Sequence, residues 1–480
     1  MANKNPKTLK SDVTAVDVIN AITSDTESLN GTPHVYNIGE DMGAGVKATA
    51  IDVQASLQSA GEYILADADM ANEFLEALCN RIGLVIYEGY TYRNHFAQLE
   101  KGEMPFGWTI EDIFVGLVDP SDYVMTSNMP ARDIFALYPP DVKAAFYHLN
   151  YRKKYRTSTF REQLRAAFLS LNGVVDLVTR IVQALYKSAA WDEELATRYL
   201  LSRAIIDGNT QPIQVPEISP ATGTQITTII KGASAELDFM GSGYNRAGVM
   251  TTTPVENQYL IITSRYDASY TVEVQSAAFN LDKVAYLGHR VLVRSFSFNT
   301  AELDRLKKIF TDENTGAIDP MYKEFTSDEL SQLDNVVAML VDEKFLQIYR
   351  NLEAYRTIED PDKLKWNHWL HIWKVLATSP FANAISFPSN PVGVDNVTVT
   401  PDTLSIQKGQ TGQLTANVTT TGFAPKLVNW ELMTLTPNSY VSQTGVVSVG
   451  ANETNTQLQV KVTAVYDVSK FAIATITVTG

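Results

Sequence analysis

Between Asn172 and Ile206 apolar residues recur at mostly three- and four-residue spacing: Val178, Ile181, Val182, Leu185, Ala189, Leu195, Tyr199 and Leu200. This periodicity predicts one long helix ended by Asp207-Gly208, roughly 50 Å long at 1.5 Å per residue. A helix of that length serves as a spine. Beyond Pro388 the period changes to two: Leu414, Ala416 and Val418 alternate with Thr415, Asn417 and Thr419, and Leu458, Val460, Val462 and Ala464 with Gln459, Lys461 and Thr463. Half-buried strands repeat in this way. Turn signals at Pro401-Asp402, Lys408-Gly409, Thr421-Gly422, Pro437-Asn438, Thr444-Gly445 and 450–452 divide the segment into about seven strands, the arithmetic of an immunoglobulin-like sandwich with Trp430 as core anchor.

The first 390 residues mix the two periods, an α+β pattern. Ser11 caps a short helix over 13–22, and the Gly-punctuated stretch 24–45 reads as an extended arm. A helix over 72–82 leads into a strand at 83–87, followed by strand-like residues on both sides of a charged tip at 100–105. We expect a long two-stranded loop that projects from the body, with a packed local hairpin as the alternative. Thr159-x-x-Glu162 reads as a capping box opening a helix that carries Leu164, Ala167, Phe168 and Leu171. After a Pro-rich connector at 211–220, strands are expected at 259–263, 291–298, 336–341 and 345–349, a helix at 272–279, and a long strand from Lys363 to Pro380.

With 480 residues, 39 basic against 54 acidic side chains and a formal charge of −15, the chain exceeds a single core and should form two or more domains. The acidic balance argues against a dedicated nucleic-acid binder, since affinity for phosphates comes from Lys and Arg. One cysteine, Cys79, excludes an intrachain disulfide framework, and its place among Leu75, Leu78 and Ile82 makes it a small buried residue. The polar start, Met1 to Asp12, lacks a signal-peptide core, and the longest apolar run, near 84–87, is far too short for a membrane helix, so the product is expected to stay where it is made.

Catalytic patterns do not emerge. The stretch 241–248 has two glycines of a dinucleotide fingerprint without the third, and neither a P-loop nor a nucleophile elbow occurs. His368 and His371 fall on opposite faces of a strand, with no acidic or cysteine cluster to complete a metal site. Glu111-Asp112 and Glu193-Glu194 read as solvated faces, and Trp366, Trp369 and Trp373 as a core strand in preference to a stacking platform. No cofactor or metal is expected. The basic run Arg152, Lys153, Lys154 and Arg156 is the one place where DNA contact is plausible, against a solvated or intersubunit salt-bridge surface.

Two resemblances follow from particular strings. The stretch 397–418, Trp430 in VNWEL, TGVVSVG and the final TITVTG resemble the bacterial Ig-like group 2 domain. The strings VDVINAIT (16–23), NRIGLVI (80–86), PFGWTIEDI (105–113), ALYKSA (184–189), AFN (278–280), WNHWLHIW (366–373) and FANAISF (381–387) resemble major capsid proteins of small short-tailed, Salas-type phages of Gram-positive bacteria, which share the Hong Kong-type (Johnson) fold.

By that resemblance residues 1–80 are the N-terminal arm and lead-in helix, 81–115 the E-loop, 116–210 the P-domain with its spine at 173–206, 211–353 the A-domain, 354–390 the return to the P-domain, and 391–480 the Ig-like module. It implies self-assembly as hexamers and pentamers into an icosahedral head, in the host cytoplasm, with a scaffolding protein, a portal and weakly contacted double-stranded DNA as partners and no membrane. Lys101, Met104, Pro105, Phe106 and Trp108 become the intersubunit candidates, the aromatic pair as anchors. The segment 299–334 departs from the family in being longer and more charged. The competing readings are a cell-surface or adhesive protein that binds through the Ig-like domain and a hydrolase with an appended binding module.

Overall fold

A computed structural model describes residues 92, 94–105, 109–118, 120, 141–161, 173–219, 221–269, 289–313, 315–360, 362–363 and 365–479. The expectations for the arm, Cys79, the helices over 13–22, 72–82 and 272–279, and the anchors Phe106 and Trp108 lie outside the described residues. In chain order the body contains β1 (Glu100–Glu103), β2 (Ile110–Val115), β3 (Val142–Tyr147), β4 (Tyr151–Phe160), α1 (Gly173–Ile206), β5 (Gln211–Pro212), α2 (Gly223–Leu237), β6 (Gln258–Thr263) and β7 (His289–Val293). Then come α3 (Thr300–Ile309), α4 (Ser327–Asp334), β8 (Val336–Asp342), β9 (Leu346–Asp360), β10 (Lys365–Thr378) and β11 (Ala384–Pro388).

The spine α1 spans the predicted residues and buries Val182, Leu185, Ala189, Leu195 and Tyr199. Gly208, at φ +69, supplies the left-handed turn that stops it. Two sheets hold the rest of the body. One has the order β5-β11-β8-β6-β7, and its centre, β8, is the apolar run VVAMLVD, buried on both faces. Val336, Met339 and Val341 join the cluster that includes Leu195, Tyr199 and Ile205 of α1, while Val337, Ala338 and Leu340 join Ile226, Ile230 and Leu237 of α2. The second sheet, β1-β9-β10-β4, rests on α1 through the buried side of its long strands.

The charged segment 299–334 folds onto the spine. Asn299 and Thr326 each close a complete capping box, with Glu302 and Glu329, and so open α3 and α4. Glu302 contacts Arg198 at 2.7 Å, off hydrogen-bond angle, with both side chains almost fully buried. Arg305 grips Asp192 with two bonds of 2.7 and 2.8 Å.

Thr159 lies in β4, with its hydroxyl 3.0 Å from His368 Nε2; Arg161 is helical directly after the strand, and the helix expected to carry Leu164, Ala167, Phe168 and Leu171 lies outside the described residues. Two expectations need correction, at β9 and at the loop tip. The segment around 346–360 forms one strand of 15 residues, three times the expected length, because β10 is there to pair with it. The charged tip is not free: Glu100–Glu103 pairs in parallel with β9, and Met104 is buried against Tyr147 and Val375.

The C-terminal segment comprises β12 (Gly393–Thr400), β13 (Thr403–Gln407), β14 (Thr411–Gln413), β15 (Thr415–Thr421), β16 (Val428–Leu432), β17 (Tyr440–Val441), β18 (Val446–Ser448), β19 (Gln457–Ala464) and β20 (Phe471–Thr479). The pattern anticipated about seven strands, and the two extra ones are the two- and three-residue β17 and β14, too short to alternate. They form sheets β12-β15, β13-β20-β19-β16 and β14-β18-β17 around one apolar core that includes Trp430, Leu414, Val447, Val460 and Ile476. Gly445, at φ +81, leaves room for the indole: a Cβ there would lie 3.0 Å from Trp430 and 2.4 Å from the Leu414 carbonyl. Glu453, buried between β18 and β19, accepts bonds from the hydroxyls of Ser439 and Thr436 and the backbone amides of Thr454 and Asn455, which bring its carboxyl down to about 2.

Candidate assembly surfaces and the charged sheet face

The β2–β3 ribbon has two unlike faces. Toward the body, Asp112 accepts bonds from the Tyr147 hydroxyl at 3.1 Å and the Ser379 hydroxyl at 2.5 Å, and Phe114 stacks on Phe381 with centroids 6.1 Å apart. Asp112 is therefore a structural acceptor. The outward face pairs Val115 with Val142 and Ile113 with Ala144, and places Phe146 beside Glu111. Ile113, Val115, Val142 and Phe146 are 57%, 56%, 52% and 56% exposed, and Leu117 and Val118 beyond the ribbon are more exposed still. Contiguous apolar surface of this kind marks an interaction site.

A buried charge junction ties the ribbon's entry strand to the spine. Lys374 of β10 donates to Glu100 of β1 at 2.8 Å and to Glu193 of α1 at 2.9 Å, and Arg350 of β9 donates to Glu100 at 2.9 Å. Burial pushes Glu100 up, yet Lys374 and Arg350 outweigh it and hold the carboxyl below its ordinary range. Burial leaves Glu193 above its range despite Lys374. Glu194 turns elsewhere and meets His95 at 2.9 Å. The expected solvated acidic face is thus a set of anchors: Asp192, Glu193 and Glu194 each reach a different element. Linear sequence could not show this, because the partners lie 113, 181 and 99 residues away.

The basic run lies on β4, the edge of its sheet, where alternation divides it. Arg152, Lys154 and Arg156 face outward, opposite Trp373, His371 and Trp369 of β10, while Lys153 turns to the other face near the Tyr151 ring. Burial lowers the Lys153 pKa. Arg152 lies over Trp373 at 5.5 Å, and Arg156 pairs with Glu313. Trp366 is core, as the pattern implies, whereas Trp369 and Trp373 are only half-buried.

Strand geometry separates the two histidines as expected. His368 is buried with Nδ1 2.6 Å from the Tyr355 hydroxyl, and burial alone holds its pKa at about 4 against an ordinary 6.5. No group of metal-ligating side chains occurs among the described residues. Below pH 6.5 the unfolded chain takes up this proton and the folded chain resists until pH 4. The stability present above pH 6.5 should therefore fall by roughly 3 kcal/mol as pH drops from 6.5 to 4. Urea melts across that range check it: His368→Asn should flatten this part of the curve, and an unchanged slope would place the acid sensitivity elsewhere.

An exposed apolar ribbon, held to a long spine through a buried charge junction, suits a structural subunit that completes itself against copies of its own kind. The chain belongs to the Phi29-like phage major capsid protein family, which it matches over residues 40–388. It is 29% identical over 410 residues to the major capsid protein of Bacillus phage B103, covering 84% of this chain and 83% of that one. Against the major capsid protein of Bacillus phage PZA it is 27% identical over 408 residues, again with 84% and 83% covered. The capsid structure of Staphylococcus phage Andhra overlaps 62% of this chain and 85% of its own at 15% identity, with a TM-score of 0.46, too loose an overlap to fix the arrangement of parts. The chain is thus a phage major capsid protein that forms the capsid shell, and its place is the virion. The adhesive reading is not favoured. Among the described residues no helix is long and apolar enough to cross a membrane.

Proposed function

We propose that the chain builds its shell as a Hong Kong-type subunit, with the E-loop at 81–115, the P-domain at 116–210 and 354–390, the A-domain at 211–353, the N-terminal arm at 1–80 and an Ig-like group 2 module at 391–480. Hexamers and pentamers close the icosahedral head in the host cytoplasm, with a scaffolding protein and a portal as partners. The structural part it plays requires no catalysis. The observation that carries this reading is the outward face of the β2–β3 ribbon, an apolar strip about half exposed at four positions. A two-stranded ribbon is marginal alone, and its free face is what a neighbouring copy would cover. Of the loop-tip candidates, Met104 is already buried within its own chain, so contact passes to Lys101, Pro105, Phe106, Trp108 and the ribbon.

Ile113→Lys combined with Val142→Lys places two charges on that strip. Solvated in the monomer, they should change its stability by no more than about 0.5 kcal/mol, yet they would have to be desolvated in any contact with a neighbour. Electron microscopy with light scattering, with and without a scaffolding protein, should show shells from the parent chain and none from the variant. Shells at the parent yield would remove the ribbon from the interface.

A further inference from the structure

We infer that the outward face of β4 and β10 is a docking surface for the phosphate backbone of duplex DNA, read without regard to sequence. The inference rests on the capsid reading only in that a capsid shell encloses a genome.

The chain carries a formal charge of −15, and this face reverses that sign locally. Three successive cross-strand rows run Arg152–Trp373–Leu352, Lys154–His371–Ala354 and Arg156–Trp369–Arg356, without an acidic side chain among them. Alternate residues on a strand advance about 6.8 Å, so the three β4 cations form a straight line about 14 Å long. Duplex DNA presents a negative charge for about every 1.7 Å of its axis, so phosphates would meet such a line in any register.

Arg152 and Lys154 of the line border an open groove of about 600 Å³, to which Lys153 and Lys308 add further positive charge. Asp312 and Glu313 also border it, and Glu313 pairs with Arg156. That pair is exposed on both sides, at 60% and 58%, so it is worth little against solvent and a phosphate can replace the carboxylate. The Trp373 ring beneath Arg152 gives the guanidinium a flat support. An acidic protein segment would meet the same charges, but the regular spacing of the β4 cations favours a uniform polyanion. With three or four cations the site is weak at physiological salt, which leaves DNA free to slide.

The test is fluorescence anisotropy of a labelled 20-base-pair duplex with the purified full chain, titrated from low salt upward. The parent should bind with a log–log salt slope near −3, and a duplex of unrelated sequence should behave alike. Arg152→Gln, Lys154→Gln and Arg156→Gln together should weaken binding at low salt at least tenfold and make the slope shallower by about 2 to 3. The charge-conserving pair Arg152→Lys and Arg156→Lys should keep the slope, which separates lost charge from lost fold. Equal affinity and slope in the triple variant would overturn the inference, as would a polyglutamate peptide that binds this face more tightly than the duplex does. Electron microscopy of the same preparations keeps the two readings apart: shells without salt-sensitive DNA binding sink this inference alone, and DNA binding lost in a triple variant that still forms shells supports it independently of assembly.

Discussion

Lys374→Met should destabilise the folded subunit by about 3–5 kcal/mol, because it leaves two carboxylates buried without their shared cation. Lys374 is 6% exposed, and Glu100 and Glu193 are 17% and 14% exposed, so water can replace little of what is lost. Arg350 still reaches Glu100, and Glu193 is left to take up a proton. The three residues belong to β1, α1 and β10, so the change also releases the strand that leads into the ribbon. Urea denaturation followed by circular dichroism measures it. The combination Lys374→Met with Glu100→Gln and Glu193→Gln should recover most of the loss, since neutral groups need no counter-ion. A loss below about 1 kcal/mol for Lys374→Met alone would show the junction to be solvated and the charges unimportant to the fold.

What the sequence made legible follows from how local each signal is. The spine could be read to its end because its periodicity lies within the helix and its terminating glycine, Gly208, follows two residues after it. β8 was visible as an unbroken apolar run, and β10 as a long strand ending before Pro380, while its alternation of buried and half-buried positions from Lys365 to Ile372 emerged only in the structure. Capping boxes show the limit of local reading. Thr159-x-x-Glu162 matches the pattern, yet Thr159 itself is a strand residue two positions before the helical Arg161, while Asn299-x-x-Glu302 and Thr326-x-x-Glu329 close complete boxes at the starts of α3 and α4. The basic run was visible as a run, but its division into an outward line and an inward Lys153, and its position beside Trp369 and Trp373, depend on a register set some 200 residues away. The exposed ribbon was hidden for the same reason. Ile113 and Phe146 become one surface only after β2 pairs with β3.

Phe423→Ala should cost about 3–5 kcal/mol, and the loss should appear as separation of the C-terminal module from the body. Phe423 and Ala424 are neighbours in the chain and belong to different cores: Phe423 lies in the cluster that contains Leu195, Tyr199 and Ile205 of the spine, and Ala424 in the module's own. Pro425 follows and approaches the turn that ends α1, where a Cβ on Gly208 would lie 3.2 Å from its Cα. Tyr466, 41 residues further on, donates to the Pro212 carbonyl at 3.2 Å, a second tie to the same region. A module held by an aromatic plug and a hydrogen bond should melt with the body, whereas one joined only through 389–392 should melt alone. Calorimetry of the parent should therefore show one cooperative transition and Phe423→Ala two, the module's own midpoint little changed because its Trp430 core is untouched. Two transitions already present in the parent would contradict the plug. If the single transition holds, deletion of 396–480 would expose the socket of Phe423 at the end of the spine, so failure of such a chain to form shells would report a damaged body and not a missing decoration. Phe423→Ala combined with Tyr466→Phe, in the full chain, separates these possibilities: shells of parent shape with a loosened module would assign the module to the shell's decoration, and loss of shells would assign it to the contacts that close them.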